Sequence, residues 1–202
     1  MIKRAFDCGV AGIGLLVSAP LWGLLAIAIK IEDGGPVWFR QERVGLGGRV
    51  FEALKFRSMV PDAEALTGPV QATLHDPRVT RVGRLMRATA MDELPQLWNI
   101  VAGDMSFVGP RPLRPGEVEV RGDGQLVRLD QIPGYAERHR VRPGLTGLTQ
   151  VYASRDISRA SKFRLDRVYL NRAGFWLDLR LILVSFWITG MGAWEKRDRR
   201  VP

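Results

Sequence analysis

Between Cys8 and Ile29 the chain carries no charged residue; Lys3, Arg4 and Asp7 precede that run and Lys30 closes it. As a straight helix the run would measure about 33 Å, enough to cross the hydrocarbon core of a bilayer. Pro20 sits near its middle. A proline in a helix interior removes one backbone hydrogen bond, and its ring crowds the carbonyl one turn earlier, here that of Leu16. Each limb is then about 18 Å or less, roughly half a bilayer. Basic residues flank both ends, so charge sets no crossing direction. A helix-break-helix over residues 1–31 that enters the bilayer and returns to the same side satisfies both facts. A kinked helix that spans is the plainer alternative. A cleaved signal peptide fits poorly, because the run is long for a signal core and ends in a basic residue.

A second stretch carries the chemistry. Thr89 to Leu113 reads TAMDELPQLWNIVAGDMSFVGPRPL, with Asp92 and Glu93 adjacent and Pro95 close behind. Proline lacks an N–H and is tolerated only within the first turn of a helix. The acids therefore fall at or just before a helix N-terminus, where unpaired N–H groups favour negative charge. Two neighbouring acids can divide two tasks, one attacking phosphorus and the other holding a hard cation. They can also simply cap the helix. Asn99, Gly103 and Asp104 would close that helix, and Pro110-Arg111-Pro112 holds one arginine between two fixed φ angles.

The remaining segments place basic residues around this stretch. The alternation at Val37 to Arg40 and the glycines at Gly45 to Gly48 predict a short β-hairpin running into Lys55-Phe56-Arg57. Residues 61–73 read as a loop with a short helix, and His75-Asp76-Pro77-Arg78 as a turn. Arg84 and Arg87 share a helix face ahead of the acid pair. Glu117 to Gln131 is polar and reads as helix or loop; Lys162 to Tyr169 reads as an amphipathic helix. The apolar stretch from Phe175 to Trp194 carries Asp178 and Arg180, so it predicts an interfacial helix rather than a second span. Lys196, Arg197, Arg199 and Arg200 then favour an anionic leaflet. Net charge is +9, which calls for an acidic partner: nucleic acid, anionic membrane or phosphorylated substrate. Cys8 is the sole cysteine and His75 and His139 the sole histidines, so an internal disulfide and a Cys- or His-based metal cluster are excluded.

The ordered set Asp92-Glu93-Leu94-Pro95-Gln96-Leu97, Gly103-Asp104-Met105-Ser106 and Val108-Gly109-Pro110-Arg111-Pro112 resembles the signature of the bacterial sugar transferases, the monotopic phosphoglycosyl transferases that begin glycan assembly on a polyprenyl phosphate. The resemblance extends through Gly35-Pro36-Val37, Gln41-Glu42-Arg43-Val44-Gly45, Lys55-Phe56-Arg57-Ser58-Met59, Pro143-Gly144-Leu145-Thr146-Gly147 and Gln150. It departs at Ala19-Pro20, where the family usually has Ser-Pro. The resemblance implies an α/β fold, mainly helical with a short β-hairpin. Residues 1–31 would form a re-entrant membrane helix and 32–202 a cytosol-facing catalytic domain with interfacial C-terminal helices, at the bacterial inner membrane. The implied reaction moves a sugar-1-phosphate from a UDP-sugar to polyprenyl (undecaprenyl) phosphate and releases UMP. By resemblance, Asp92 is the nucleophile and Glu93 binds Mg²⁺. Lys55, Arg57, Arg87, Pro110, Arg111 and Pro112 would contact the donor, and Asp178 would support the site. Expected partners are the UDP-sugar, the lipid acceptor and anionic lipids, without nucleic acid. Oligomeric state and the identity of the sugar stay open. The readings from other classes are a basic nucleic-acid-binding module, suggested by charge alone, and a membrane adaptor that keeps the fold without the chemistry.

Overall fold

The computed structural model describes residues 2–63, 65, 76–120, 124–154 and 157–191. The short helix expected within 61–73, His75 and the basic tail at 196–200 lie outside the described residues, apart from a turn at 61–63. Helix α1 spans Ile2–Asp33 and contains Pro20. The sequence predicts a break there; instead the helix is continuous, which corrects that expectation. The physical reason is that proline forfeits only its own N–H bond, while Leu15 before it and Leu21 and Trp22 after it pack against the body of the protein. In the turn before it, the Ser18 hydroxyl accepts from Trp22 Nε1 at 3.0 Å and faces the Leu15 carbonyl at 3.5 Å. By length and composition α1 is the single described helix able to cross a membrane.

One face of α1 lies along the rest of the protein over nearly its whole length. Near its start, Arg4 donates to the carbonyls of Ile100 and Val101, Lys3 pairs with Asp178, and buried Asp7 accepts from Ser106 Oγ at 2.7 Å. Ala11 is fully buried in a core with Leu97, Ile100, Met105, Phe107, Tyr169 and Leu181. Near its end, Leu25 and Ile29 pack with Phe56 and Met86. Glu32 then accepts from the backbone N–H groups of Arg81 and Val82 at 2.6 and 3.0 Å. Both ends of α1 are thus tied to one globular body. Its other face leaves Ile13, Leu16, Val17, Leu24 and Ile27 exposed.

The expected hairpin forms from β1 (Trp38–Val44) and β2 (Val50–Phe56), antiparallel, with Lys55 opposite Phe39. Helix α2 (Arg81–Ala88) starts at Thr80, whose hydroxyl accepts from the Gly83 N–H at 2.9 Å. A Cβ at Gly83 would collide with the Ser58 carbonyl, so glycine lets α2 sit directly on the end of the hairpin. Helix α3 (Gln96–Ala102) ends on Gly103, which takes the left-handed conformation at φ 103°. Strands β3 (Ser106–Val108) and β6 (Gly144–Thr146) pair in parallel, an arrangement that no local pattern announces. Residues expected as helix or loop after Glu117 form instead a small antiparallel pair, β4 (Val118–Val120) with β5 (Leu126–Arg128). Alternation of Val118 and Val120 with Glu119 is too short to register as a strand signal. Short helices α4 (Tyr135–Arg138) and α5 (Leu148–Tyr152) lead to α6 (Arg159–Arg172) and α7 (Phe175–Gly190). Helix α7 buries Leu181 and Ile182 and exposes Trp176, Leu183, Phe186 and Trp187, an apolar outer face like that of α1.

Candidate active site

Asp92 and Glu93 occupy a 3-10 turn, Met91–Glu93, between α2 and α3. Ala90 enters it in the left-handed region at φ 55°, a strained setting for a residue with a Cβ. Neither acid caps a helix: α3 begins at Pro95 with no side-chain cap. The capping reading is therefore set aside: the turn runs through Leu94 and Pro95 into α3 in right-handed helical conformation, and neither acid side chain bonds a backbone N–H there. Asn99 explains why the turn meets the hairpin. Its Oδ1 accepts from Leu54 N–H at 3.0 Å and its Nδ2 donates to the Glu52 carbonyl at 2.7 Å, locking α3 onto β2 one residue from Lys55.

Lys55 Nζ and Arg111 Nη2 both donate to Glu93 Oε1, at 2.6 and 3.0 Å. Burial opposes the charge on Glu93, but these two cations outweigh it and hold the carboxyl well below the usual range. Burial also pulls the Lys55 ammonium down, against the attraction of Glu93 and Asp92. With two cations on one carboxylate, the ionised Glu93 is the more secure charge of the group. Asp92 behaves differently. It is 9% exposed, and burial pushes its carboxyl up to about 6, with Lys55 pulling the other way and Glu93 adding to the rise. Among the described residues no donor holds the Asp92 carboxylate, so it remains available to attack.

Both acids line a cleft of about 1250 Å³. Lys55, Arg87 and Arg111, three of the expected phosphate ligands, line it too, and Arg87 is steadied by donating Nε to Ser58 Oγ at 2.9 Å. Pro112 lines the cleft, whereas Pro110 serves as frame, its carbonyl accepting from Gly144 N–H at 3.0 Å. Gly109 beside it has no room for a Cβ against Arg142 and Gly144, which is how β3 and β6 approach closely enough to set this loop.

Two expected site residues have other work. Arg57 reaches the cleft wall but is 6% exposed, with its nitrogens on Asp33, the Pro36 carbonyl at 2.6 Å and the Met59 carbonyl at 3.1 Å. It clamps the end of α1 to β2. Asp178 is not among the cleft-lining residues; it accepts from Tyr169 Oη at 2.9 Å and pairs with Lys3, joining α6, α7 and α1. It thus stands outside the cleft lining, and its distance in sequence from α1 hid the partner that its charge meets.

Sequence reasoning assigned no role to Arg43, Arg114, Arg138 or Gln150, all of which line the cleft. Arg43 donates Nη1 to the Pro112 carbonyl at 3.0 Å. Burial, helped by Arg111 and Arg114, lowers its guanidinium to about 10. The signal was present for Arg43 and Gln150, which stand in the quoted motifs, but nothing in those motifs says what the side chains face.

The donor set can be tested for a hard cation. Among the described residues no group of three or more His, Cys, Asp or Glu converges. Mg²⁺ is commonly held by one or two carboxylates, with waters and substrate phosphates completing an octahedron. Asp92 without a described donor, and Glu93 with both its described donors on one oxygen, supply that number. The residues therefore fit Mg²⁺ that arrives with a diphosphate.

Comparison with known proteins identifies the family. A family model described as bacterial sugar transferase matches residues 1–191. The undecaprenyl-phosphate glucose phosphotransferase of Komagataeibacter xylinus is 44% identical over 91% of this chain, which spans 35% of that protein. The UDP-glucose:undecaprenyl-phosphate glucose-1-phosphate transferase of Caulobacter vibrioides is 43% identical over 90% of this chain and 67% of its own length. The exopolysaccharide production protein PSS of Rhizobium leguminosarum bv. phaseoli is 40% identical, with 90% and 92% covered. On the family match across nearly all its residues and on these relatives, the chain belongs to the bacterial sugar transferases.

Proposed function

We propose that the protein is a membrane-anchored phosphoglycosyl transferase that moves a sugar-1-phosphate from a UDP-sugar to undecaprenyl phosphate. The observation that carries this reading is the pairing of a buried, undonated Asp92 with a cation-held Glu93 in a cleft ringed by Arg43, Lys55, Arg87 and Arg111. An Asp92 oxygen attacks the sugar-bearing phosphorus; the bond to the bridging oxygen breaks and its electron pair leaves with UMP. A phosphate oxygen of the lipid then attacks the same phosphorus and releases Asp92. The two-step course spares the site from holding a water-borne and a lipid-borne substrate on one phosphorus together. Arg87 and Arg111 lie where they can neutralise donor phosphates, which otherwise repel the nucleophile. Lys55 and Arg111 keep Glu93 ionised, and Glu93 with Asp92 would hold Mg²⁺. When bound, that ion supplies charge neutralisation at the diphosphate.

The same cleft is lined by Val17 and Leu21 of α1 and by Ile182 and Phe186 of α7. These helices expose apolar outer faces, which supports a site at a membrane surface. Both ends of α1 are anchored to one body, which supports a re-entrant course with the catalytic part on the cytosolic face. The names of the relatives make UDP-glucose the first donor to try within a UDP-sugar panel.

The test is intact-protein mass spectrometry after acid quenching of protein mixed with donor and Mg²⁺, without acceptor. About one UMP per site should be released, and the protein should gain one sugar phosphate, mapped by peptide analysis to Asp92. Asp92→Asn should gain none, since an amide is a poor nucleophile. An adduct on another residue, or turnover with intersecting-line kinetics and no adduct, would overturn the mechanism.

A further inference from the structure

Three successive carbonyls of the Pro110-Arg111-Pro112 segment are each held by a donor from a different part of the chain. Gly144 N–H holds that of Pro110 at 3.0 Å, and Arg43 Nη1 that of Pro112 at 3.0 Å. Arg138 Nη2 holds that of Arg111 at 2.7 Å. We propose that Arg138 is a positioning residue for Arg111, and through it for Glu93, with Asp166 and Thr149 as its supports. The inference rests on the transferase reading and adds to it residues that no motif singled out.

The geometry is continuous. Arg138 closes α4; its Nε donates to Asp166 Oδ2 of α6 at 2.8 Å, and both side chains are 3% exposed. Thr149 Oγ1 of α5 donates to the other oxygen, Oδ1, at 2.7 Å. The guanidinium lies over the Phe163 ring at 4.9 Å. Thus the guanidinium is fixed at Nε and across one ring face before it reaches the Arg111 carbonyl, and Thr149 fixes its carboxylate partner. A buried ion pair contributes little net stability, because desolvation offsets attraction. Placed here, it has a different use. Prolines on both sides of Arg111 fix their own φ, leaving the orientation of the Arg111 peptide to the groups that grip its carbonyl. That orientation aims the side chain, whose Nη2 sits 3.0 Å from Glu93 Oε1. Arg138 sets where one of the two cations on Glu93 stands, without touching Glu93.

A double-mutant cycle in turnover tests this. Arg138→Lys, which cannot reach Asp166 and the carbonyl together, is measured alone and in an Arg111→Lys background, by UMP release from UDP-glucose. Misplacing a phosphate ligand by about 1 Å can cost up to about 100-fold. The loss in kcat/KM should appear in the wild-type background and be absent in Arg111→Lys, since the affected group is already altered. Thr149→Val removes one support, leaves the pair in place, and should give a smaller loss with the same dependence and an unchanged Tm. It reports even if Arg138→Lys does not fold. Crystal structures of wild type and Thr149→Val read the Arg111–Glu93 contact directly: it should lengthen while Lys55–Glu93 persists. Losses that multiply in the Arg111→Lys background would mean Arg138 contacts substrate itself. A fall in Tm with unchanged kcat/KM would mean it only stabilises the fold. Either outcome overturns the proposal. If wild type released no UMP from any donor, the transferase reading would fall, while the crystallographic arm would still judge the relay.

Discussion

Two arginines of near-identical sequence promise, Arg57 and Arg87, end in opposite situations. Arg57 directly follows strand β2, and its guanidinium meets the Asp33 carboxylate and two carbonyls before it meets the cleft. Arg87 is anchored through Nε on Ser58 and lines the cleft, and among the described residues no acceptor holds its outer nitrogens. Opposite mutational signatures follow. Arg57→Ala leaves Asp33 without its partner at the junction of α1 and β2. Asp33 itself is exposed, so the loss is that of the charge-assisted hydrogen bonds, about 1.5–3 kcal/mol; Tm should fall while kcat/KM of the folded protein stays close to wild type. Arg87→Ala should leave Tm near wild type and lower kcat/KM about 10-fold or more, as loss of a charge-stabilising donor does. Differential scanning fluorimetry with UMP release on both variants checks the pair. Matching signatures for the two would show that the clamp and the ligand have been wrongly separated.

At the scale of elements, α1 decides how the chain meets a membrane. Its start is fastened by Lys3, Arg4 and Asp7, and its end by Glu32 and Asp33. On the re-entrant course proposed above, these contacts keep both ends of α1 on one face of the bilayer. Ile2 and Ile31 are 83% and 80% exposed, so cysteines there disturb little. In a Cys8→Ser background, Ile2→Cys and Ile31→Cys should both resist an impermeant thiol reagent in intact cells and both react in inverted membranes. Labelling of one alone from outside would show a spanning helix. The same helix carries a packing test. Ala11 has no free surface in the core against α3, so Ala11→Leu should overpack it and cost about 1–3 kcal/mol, read as a lower Tm.

At the scale of the whole molecule, two of the groups that make stability depend on pH work in opposite senses. His139, at the end of α4, is buried, and burial with the Arg138 charge lowers its imidazole to about 4. The unfolded chain binds that proton near the ordinary value of 6.5. Between about 6.5 and 4 the unfolded state therefore holds more protons, and stability falls as pH falls through this window. Asp92, pushed up to about 6, works the other way, because the folded state keeps its proton where the unfolded chain has released it. Comparing wild type with His139→Gln isolates the histidine. The variant should lose less stability between pH 6.5 and 4 in urea titrations at fixed salt. Equal losses in both proteins would remove His139 from the balance.

What the sequence determined by itself was local. An uncharged run holding one proline, an acid pair just ahead of a helix-starting proline, a hairpin around the glycine-rich turn at Gly45–Gly48, and an arginine between prolines are all set by covalent geometry and short-range spacing, and each stands where expected. What only the tertiary structure decided was which charge meets which. Asp178 and Arg57 carry motif-grade positions yet are consumed by Lys3, Tyr169 and Asp33. Arg43 and Arg138 reach the site through carbonyls brought near by the parallel pairing of β3 with β6 and by the packing of α4 on α6. The helix through Pro20 likewise runs on because the body beside it supports both turns. A charge has no directional preference along a chain; its partner is whichever opposite group the folded backbone leaves within reach, and that distance exists only once the long-range contacts have formed.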